Sequence, residues 1–310
     1  MNAFRKTNVC MVDPVSFGFN AETATTNRFQ NPSDLPADEV AARARAEFSA
    51  LVEALRAAGV RIAVAADSTT PPKPDAVFPN NWVSFHDDGT LVLYPMRDAT
   101  RRAERREAVI DAVKAQLGFH ETRRIDLSKE EDSGRFLEGT GSLVLDHRQR
   151  VAYACRSPRT NEQLVHEWAR QLGYTTYLFD ACTADGAPVY HTNVLLWLGE
   201  RVAGVGLDWV AVDQRAALAE HLRASGREVL ALSDAQLRHF AGNMLEVPTA
   251  TGRRLVMSAA AHDSLQPEQL RVLALAGSTP LIAAIPLIER LGGGSVRCIL
   301  AEVPAARSTG

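Results

Sequence analysis

The sequence predicts an α/β fold in which five ββαβ units close into a ring. Segments that begin with small or polar residues and run into a strand pattern recur along the chain. Asn81, Gly139, Asn193, Asn243 and Ser295 mark them at spacings of 50 to 58 residues, the size of a supersecondary repeat. Several of these segments lead into a turn signal and a second strand. Behind that comes a helix that stops at a glycine, then another short apolar strand.

In chain order, the first unit predicts a helix over Glu47–Ala58, closed by Gly59, and a strand over Val60–Ala65. The second opens with Phe78-Pro79-Asn80-Asn81-Trp82-Val83-Ser84-Phe85, turns at Asp87-Asp88-Gly89, and continues as a strand over Thr90–Tyr94 and a helix over Arg105–Leu117 before Gly118. The third opens at Glu138-Gly139-Thr140-Gly141, with an apolar strand over Ser142–Asp146, a turn ending at Gln149 and a second strand over Val151–Cys155. Its helix, Thr160–Leu172, ends before Gly173, and a strand follows over Tyr174–Phe179. The fourth runs from His191-Thr192-Asn193 into a strand over Val194–Leu198, a helix over Asp213–Ala224 before Gly226, and a strand over Glu228–Leu232. The fifth opens at Ala241-Gly242-Asn243, and Gly292-Gly293-Gly294-Ser295 leads the last apolar run through Cys298. A closed ring points equivalent strand starts toward one axis, so these polar residues would meet in one pocket. The other reading of the same residues is an ordinary α/β domain whose Asn and Gly only make turns.

With 310 residues, 46% apolar and 23% charged, the chain holds enough apolar sequence for a large core, in one domain over residues 1–310. The 34 Lys and Arg are spread among 37 Asp and Glu for a net charge of −3, which argues against a nucleic-acid partner. Arg5 and Lys6 are followed by no signal-peptide core, and no apolar run reaches the roughly 18 residues of a membrane span. A cytoplasmic protein that meets no membrane is expected. The cysteines Cys10, Cys155, Cys182 and Cys298 lie far apart in sequence, without the close pairing of zinc ligands, and are expected as thiols.

Cys298 stands apart because it follows three glycines, whose missing side chains allow close backbone approach to a ligand. A neighbouring imidazolium or a cationic substrate would stabilise its thiolate. Among eight histidines, His191 opens a strand pattern, whereas His166, His221 and His239 fall on helical, solvent-facing positions. Glu138 is a lone carboxylate between Leu137 and a glycine turn, where it needs a cation or N–H partner. Asn81, Asn193 and Asn243 are amides able to bond a planar N–C–N group without adding negative charge, although turn formation alone explains such residues too. Together they supply a nucleophile, a proton shuttle and polar contacts for hydrolysis at a ureido or guanidino carbon.

At these residues the sequence resembles the amidinotransferase or guanidine-modifying superfamily, the five-bladed propeller proteins called penteins. It is most similar to the arginine-deiminase-related branch described as citrulline utilisation hydrolases. The resemblance runs from Phe17-Gly18-Phe19-Asn20 through Phe78–Trp82, Glu138–Leu143, His191–Val194 and Gly242–Leu245 to Gly292–Cys298. It implies Cys298 as nucleophile, His191 as general acid and base, and Glu138 as the carboxylate that orients the histidine or binds substrate nitrogen. It implies no metal and no organic cofactor. Arginine deiminases carry aspartates where this chain has Asn81 and Asn193. Two amides suit a neutral ureido group, since an unpaired buried carboxylate is costly. Citrulline is therefore the expected substrate, giving ornithine, ammonia and carbon dioxide. A guanidine substrate, arginine or a substituted arginine, is the alternative, and a non-catalytic binding ring a more distant one. Asn20, Asn27 and Gln30 are expected to bind the α-amino or α-carboxylate end; Arg156 and Arg159 are further candidates for the carboxylate. Whether the chain forms a homo-oligomer is left open.

Overall fold

A computed structural model describes residues 7–305; Arg5 and Lys6 lie outside them. Fifteen strands form five three-stranded sheets among the described residues. They are β1 (Thr7–Val12), β2 (Ile62–Ala65), β3 (Val83–Phe85), β4 (Thr90–Leu93), β5 (Arg123–Asp126), β6 (Val144–Asp146), β7 (Val151–Cys155), β8 (Thr175–Phe179), β9 (Leu196–Leu198), β10 (Val202–Val205), β11 (Glu228–Ala231), β12 (Leu245–Thr249), β13 (Gly252–Ser258), β14 (Ser278–Ala283) and β15 (Ala301–Pro304). Each sheet has an inner strand, a middle strand antiparallel to it and an outer strand parallel to the middle one. A parallel pair needs a crossover, and each sheet has a helix in that connection.

Those helices are Ala37–Ala57, Glu107–Leu117, Glu162–Leu172, Arg215–Ala224 and Pro267–Leu275. Their apolar stripes face the sheets: Val109, Ile110, Val113 and Leu117 are buried on one, Leu164, Val165, Trp168 and Leu172 on another. Gly118 and Gly173 end these two helices at φ 72° and 68°, a left-handed conformation that costs glycine nothing. The first helix begins ten residues before the predicted Glu47, since Ala37–Ala46 carries few large apolar residues to reveal it.

The ring closes because β1 takes its inner strand from the other end of the described chain. β15 pairs antiparallel with β1, Thr7 opposite Pro304 and Cys10 opposite Ala301. Around the axis β15 lies against β3, β6 against β9 and β9 against β12. Buried side chains fill the space between blades and under each helix.

The strand openings differ from expectation in one respect. Four of them make a short helical turn before the inner strand: Pro79–Asn81, Gly139–Ser142, Thr192–Val194 and Val296–Ile299. The predicted strands over Ser142–Asp146 and Val194–Leu198 shorten to β6 and β9 accordingly, and Cys298 belongs to a turn. The turns satisfy their own backbone locally, as in Trp82 N–H to Pro79 C=O at 3.2 Å and Leu195 N–H to Thr192 C=O at 3.1 Å. Their side chains thereby gather at the end of the axis. No helix among the described residues is long and apolar enough to cross a membrane.

Candidate active site

Cys298, His191 and Glu138 come from three blades and are 3%, 2% and 0% exposed. The Glu138 carboxylate accepts on Oε2 from His191 Nε2 at 2.8 Å and from Arg159 Nη1 at 3.3 Å, and on Oε1 from the Arg97 N–H at 3.1 Å. Burial alone would raise its pKa, but the Arg159 charge, the His191 contact and Arg101 outweigh burial and hold it well below the usual carboxylate range. An ionised carboxylate only accepts, so His191 Nε2 carries the hydrogen and Nδ1 keeps its lone pair. Burial pushes His191 down to about 4 against the pull of Glu138, and Arg159 and Arg101 add to the fall. The imidazole is neutral near pH 7, as a base must be.

Asn243 Nδ2 lies 3.3 Å and Asn193 Nδ2 3.6 Å from Cys298 Sγ. Asn243 also donates to the Asn193 carbonyl at 2.8 Å and accepts the Ser295 N–H at 3.2 Å, tying two blades to the Cys298 turn. Burial pushes the thiol up, opposed by the Asn243 hydrogen bond, the Arg297 charge and Asn193. These two asparagines touch the sulfur and are not on the cavity wall. The two-amide argument for the substrate therefore rests on Asn81 alone.

Asn81 does line the cavity, and its orientation is set. Arg101 Nη1 donates to Asn81 Oδ1 at 2.8 Å, so the NH₂ faces away from the guanidinium; buried Nδ2 has no partner. Gly141 separates it from the histidine: a Cβ there would meet Asn81 Nδ2 at 2.5 Å and His191 Nδ1 at 2.7 Å.

The glycine run also makes room for neighbouring side chains. A Cβ on Gly292 would strike the Phe78 ring at 2.6 Å, and one on Gly293 would strike Asn27 and Gln30 at 2.6 Å. Asn27 Nδ2 donates to the Gly292 and Gly293 carbonyls, Gln30 Nε2 to Gly292, and the Tyr190 hydroxyl to Gly293. Asn27 and Gln30 thus fasten residues 20–30 over the site as one wall of the cavity. Asn20 stands a layer back, its Nδ2 donating to Asp75 Oδ2 at 2.7 Å.

Sequence reasoning passed over Asp75, Arg101 and Tyr190, which line the cavity with Arg159. Asp75 Oδ1 has no partner although the residue is 2% exposed. Burial pushes its carboxyl up, against the Arg101 charge, the Asn20 hydrogen bond and Arg159. Arg101 sits in a charge-rich stretch that reads as solvated surface; only its burial, with Glu104 as partner, would have marked it. Arg156 instead pairs with Glu162 and Asp180 near the surface. The site cavity is narrow, about 10 Å³. A larger one of about 320 Å³ lies toward the far ends of the inner strands, but its charged lining is ion-paired, as Asp146–Arg227 and Glu302–Arg297, and it holds no cysteine. No cluster of three or more metal-ligating side chains occurs among the described residues.

The family model described as N,N dimethylarginine dimethylhydrolase, eukaryotic, matches residues 13–305. A search of curated protein sequences gives no significant match. Among solved structures, the N-terminal domain of ArgZ, a cyanobacterial arginine dihydrolase, aligns over 97% of this chain and 99% of its own at 15% identity and a TM-score of 0.75. ArgZ has also been seen covalently bound to a reaction intermediate. AgrE, solved with ornithine and NAD+, aligns over 98% of this chain at 16% identity and a TM-score of 0.75, and the match spans 40% of that longer protein. A dimethylarginine dimethylaminohydrolase adduct aligns over 96% of this chain and 100% of its own at 14% identity and a TM-score of 0.64. The structures agree on the five-bladed fold, and the family match covers nearly the whole chain. This chain belongs to the N,N-dimethylarginine dimethylhydrolase family, the guanidine-modifying hydrolases of the pentein superfamily that break C–N bonds through a cysteine.

Proposed function

We propose that the protein hydrolyses the ureido group of citrulline to ornithine, ammonia and carbon dioxide, with Cys298 as nucleophile, His191 as proton shuttle and Glu138 as its orienting carboxylate. The observation that carries this reading is the Asn81 amide. Its oxygen is taken by Arg101, so it offers the cavity a buried, unpartnered N–H donor. A ureido group has a carbonyl oxygen to accept that bond, whereas a guanidinium has only donors. Leaving a buried donor unmet costs about 1–3 kcal/mol, which favours the ureido ligand.

The amino-acid end has complementary charges. Arg101 and Arg159, although already paired with Glu104 and with Glu138 and Asp98, place positive charge on the cavity wall toward a carboxylate, and the unpartnered Asp75 Oδ1 suits an ammonium. His191 Nδ1 takes the thiol proton as Cys298 Sγ bonds to the ureido carbon, and the carbonyl electrons move to oxygen. Collapse of the adduct returns that proton to the departing nitrogen, leaving a thiocarbamate on the enzyme. Water, deprotonated by His191, then attacks the thiocarbamate carbon; the C–S bond breaks, His191 returns the proton to Sγ, and the carbamic acid formed splits into carbon dioxide and the remaining amine.

Asp75 favours a second reading, arginine, because a buried carboxylate with one oxygen left without a partner also suits a guanidinium. The two separate in one experiment. Purified protein is given citrulline or arginine, and ornithine, citrulline and ammonia are measured beside the Cys298→Ala variant. Ornithine from citrulline, lost with Cys298, is expected. Turnover of arginine alone would replace the ureido reading, and residual activity above about 1% in Cys298→Ala would remove the covalent step, since nucleophile loss costs orders of magnitude.

A further inference from the structure

We propose that Glu104 is a positioning residue for substrate discrimination: by gripping Arg101 with both carboxylate oxygens, it keeps the Asn81 amide turned with its N–H donor toward the substrate. This rests on the ureido reading for its direction, but not for its test.

Glu104 does not line the cavity. It lies behind Arg101, 2% exposed, accepting from Arg101 Nε and Nη2 at 2.9 Å each. This two-point fork fixes the plane of the guanidinium. The remaining nitrogen, Nη1, is then left to donate to Asn81 Oδ1 at 2.8 Å, while Nη2 also approaches the Phe78 carbonyl at 3.3 Å. An amide has two ends of nearly equal shape, and what decides which end faces substrate is the partner of the other end. Here that partner can only donate. Rotating Asn81 would set its NH₂ against Arg101 and present an oxygen to the cavity, which is the arrangement a guanidinium would need.

The alternative is that Glu104 merely neutralises a buried arginine. That role lowers stability and the use of all substrates alike, whereas turning Asn81 changes one substrate relative to another. Citrulline and arginine are therefore compared by kcat/KM in the wild type, Glu104→Gln and Glu104→Asp, and by calorimetric binding to each in a Cys298→Ala background. Thermal unfolding checks each fold. Glu104→Gln loses one arm of the fork and the charge that holds Arg101 in place; the citrulline-to-arginine ratio is expected to fall about tenfold or more, the scale of one charge-assisted hydrogen bond. Glu104→Asp keeps the charge but shortens the reach, so its ratio is expected to be intermediate; if Glu104→Gln does not fold, this smaller shift serves as the test. An unchanged ratio in folded variants overturns the proposal. A wild type that binds arginine better than citrulline overturns the ureido reading instead, and a ratio that still moves with Glu104 keeps the positioning role.

Discussion

Replacing exposed Cys182 with serine leaves Cys298 as the thiol to follow, because Cys10 and Cys155 are fully buried with pKa values pushed up to about 12. The Cys298 thiol stands above its ordinary value of 9.0 and His191 falls to about 4. Both shifts oppose moving the proton from Cys298 to His191 before substrate binds. A resting thiolate–imidazolium pair is therefore disfavoured, and the thiol is the resting form at pH 7. The assay is the rate of iodoacetamide alkylation of Cys298 in substrate-free Cys182→Ser protein between pH 5 and 9.5, read by peptide mass. The rate is expected to rise about tenfold per pH unit from pH 7 to 9, without an intermediate plateau. A plateau between pH 5 and 8 would mean a preformed ion pair and would refute the electrostatic reading, whatever the substrate.

Three further outcomes follow from the same geometry. His191 titrates at 6.5 when unfolded and about 4 when folded, so its contribution is full above pH 6.5 and shrinks as pH falls toward 4; between pH 7 and 5 it costs about 2 kcal/mol. Urea unfolding at both pH values should show that loss in the wild type and a smaller one in His191→Gln. Gly141→Ala places a methyl within 2.7 Å of both His191 Nδ1 and Asn81 Nδ2; kcat is expected to drop about a hundredfold while the circular dichroism spectrum is kept, since small misplacements near the chemistry cost that much. Arg159→Met removes the cation shared by Glu138 and Asp98; a loss of about 3–5 kcal/mol in chemical denaturation is expected, as for one partner taken from a buried ion pair.

The repeat was readable because a ring of equivalent blades demands equivalent sequence: helix stops at Gly118 and Gly173, the turn at Asp87-Asp88-Gly89, apolar strands between. Glu138, His191 and Cys298 stood out for the same reason, each at a strand opening. Asp75, Arg101 and Glu104 did not, because they lie outside the openings among prolines or charges. Nothing local says that such a segment folds inward. Asn193 and Asn243 were found, but not their contact with the sulfur, since the distance from an amide to a thiol 55 or 105 residues away is a property of the closed ring.

By itself, the sequence determined the five ββαβ units, the end of each unit that carries polar residues, and Cys298, His191 and Glu138 as the candidate nucleophile, base and carboxylate on them. Those depend on hydrophobic period, turn chemistry and repeat position, all local. Only the tertiary structure decided that Arg101 faces Asn81, that one oxygen of Asp75 is left without a partner, and that residues 20–30 are bound to the Gly292–Gly293 carbonyls. Hydrogen-bond direction is a relation between two groups, and here the groups are brought together by ring closure between β1 and β15 and by the burial that leaves each donor few acceptors to choose from.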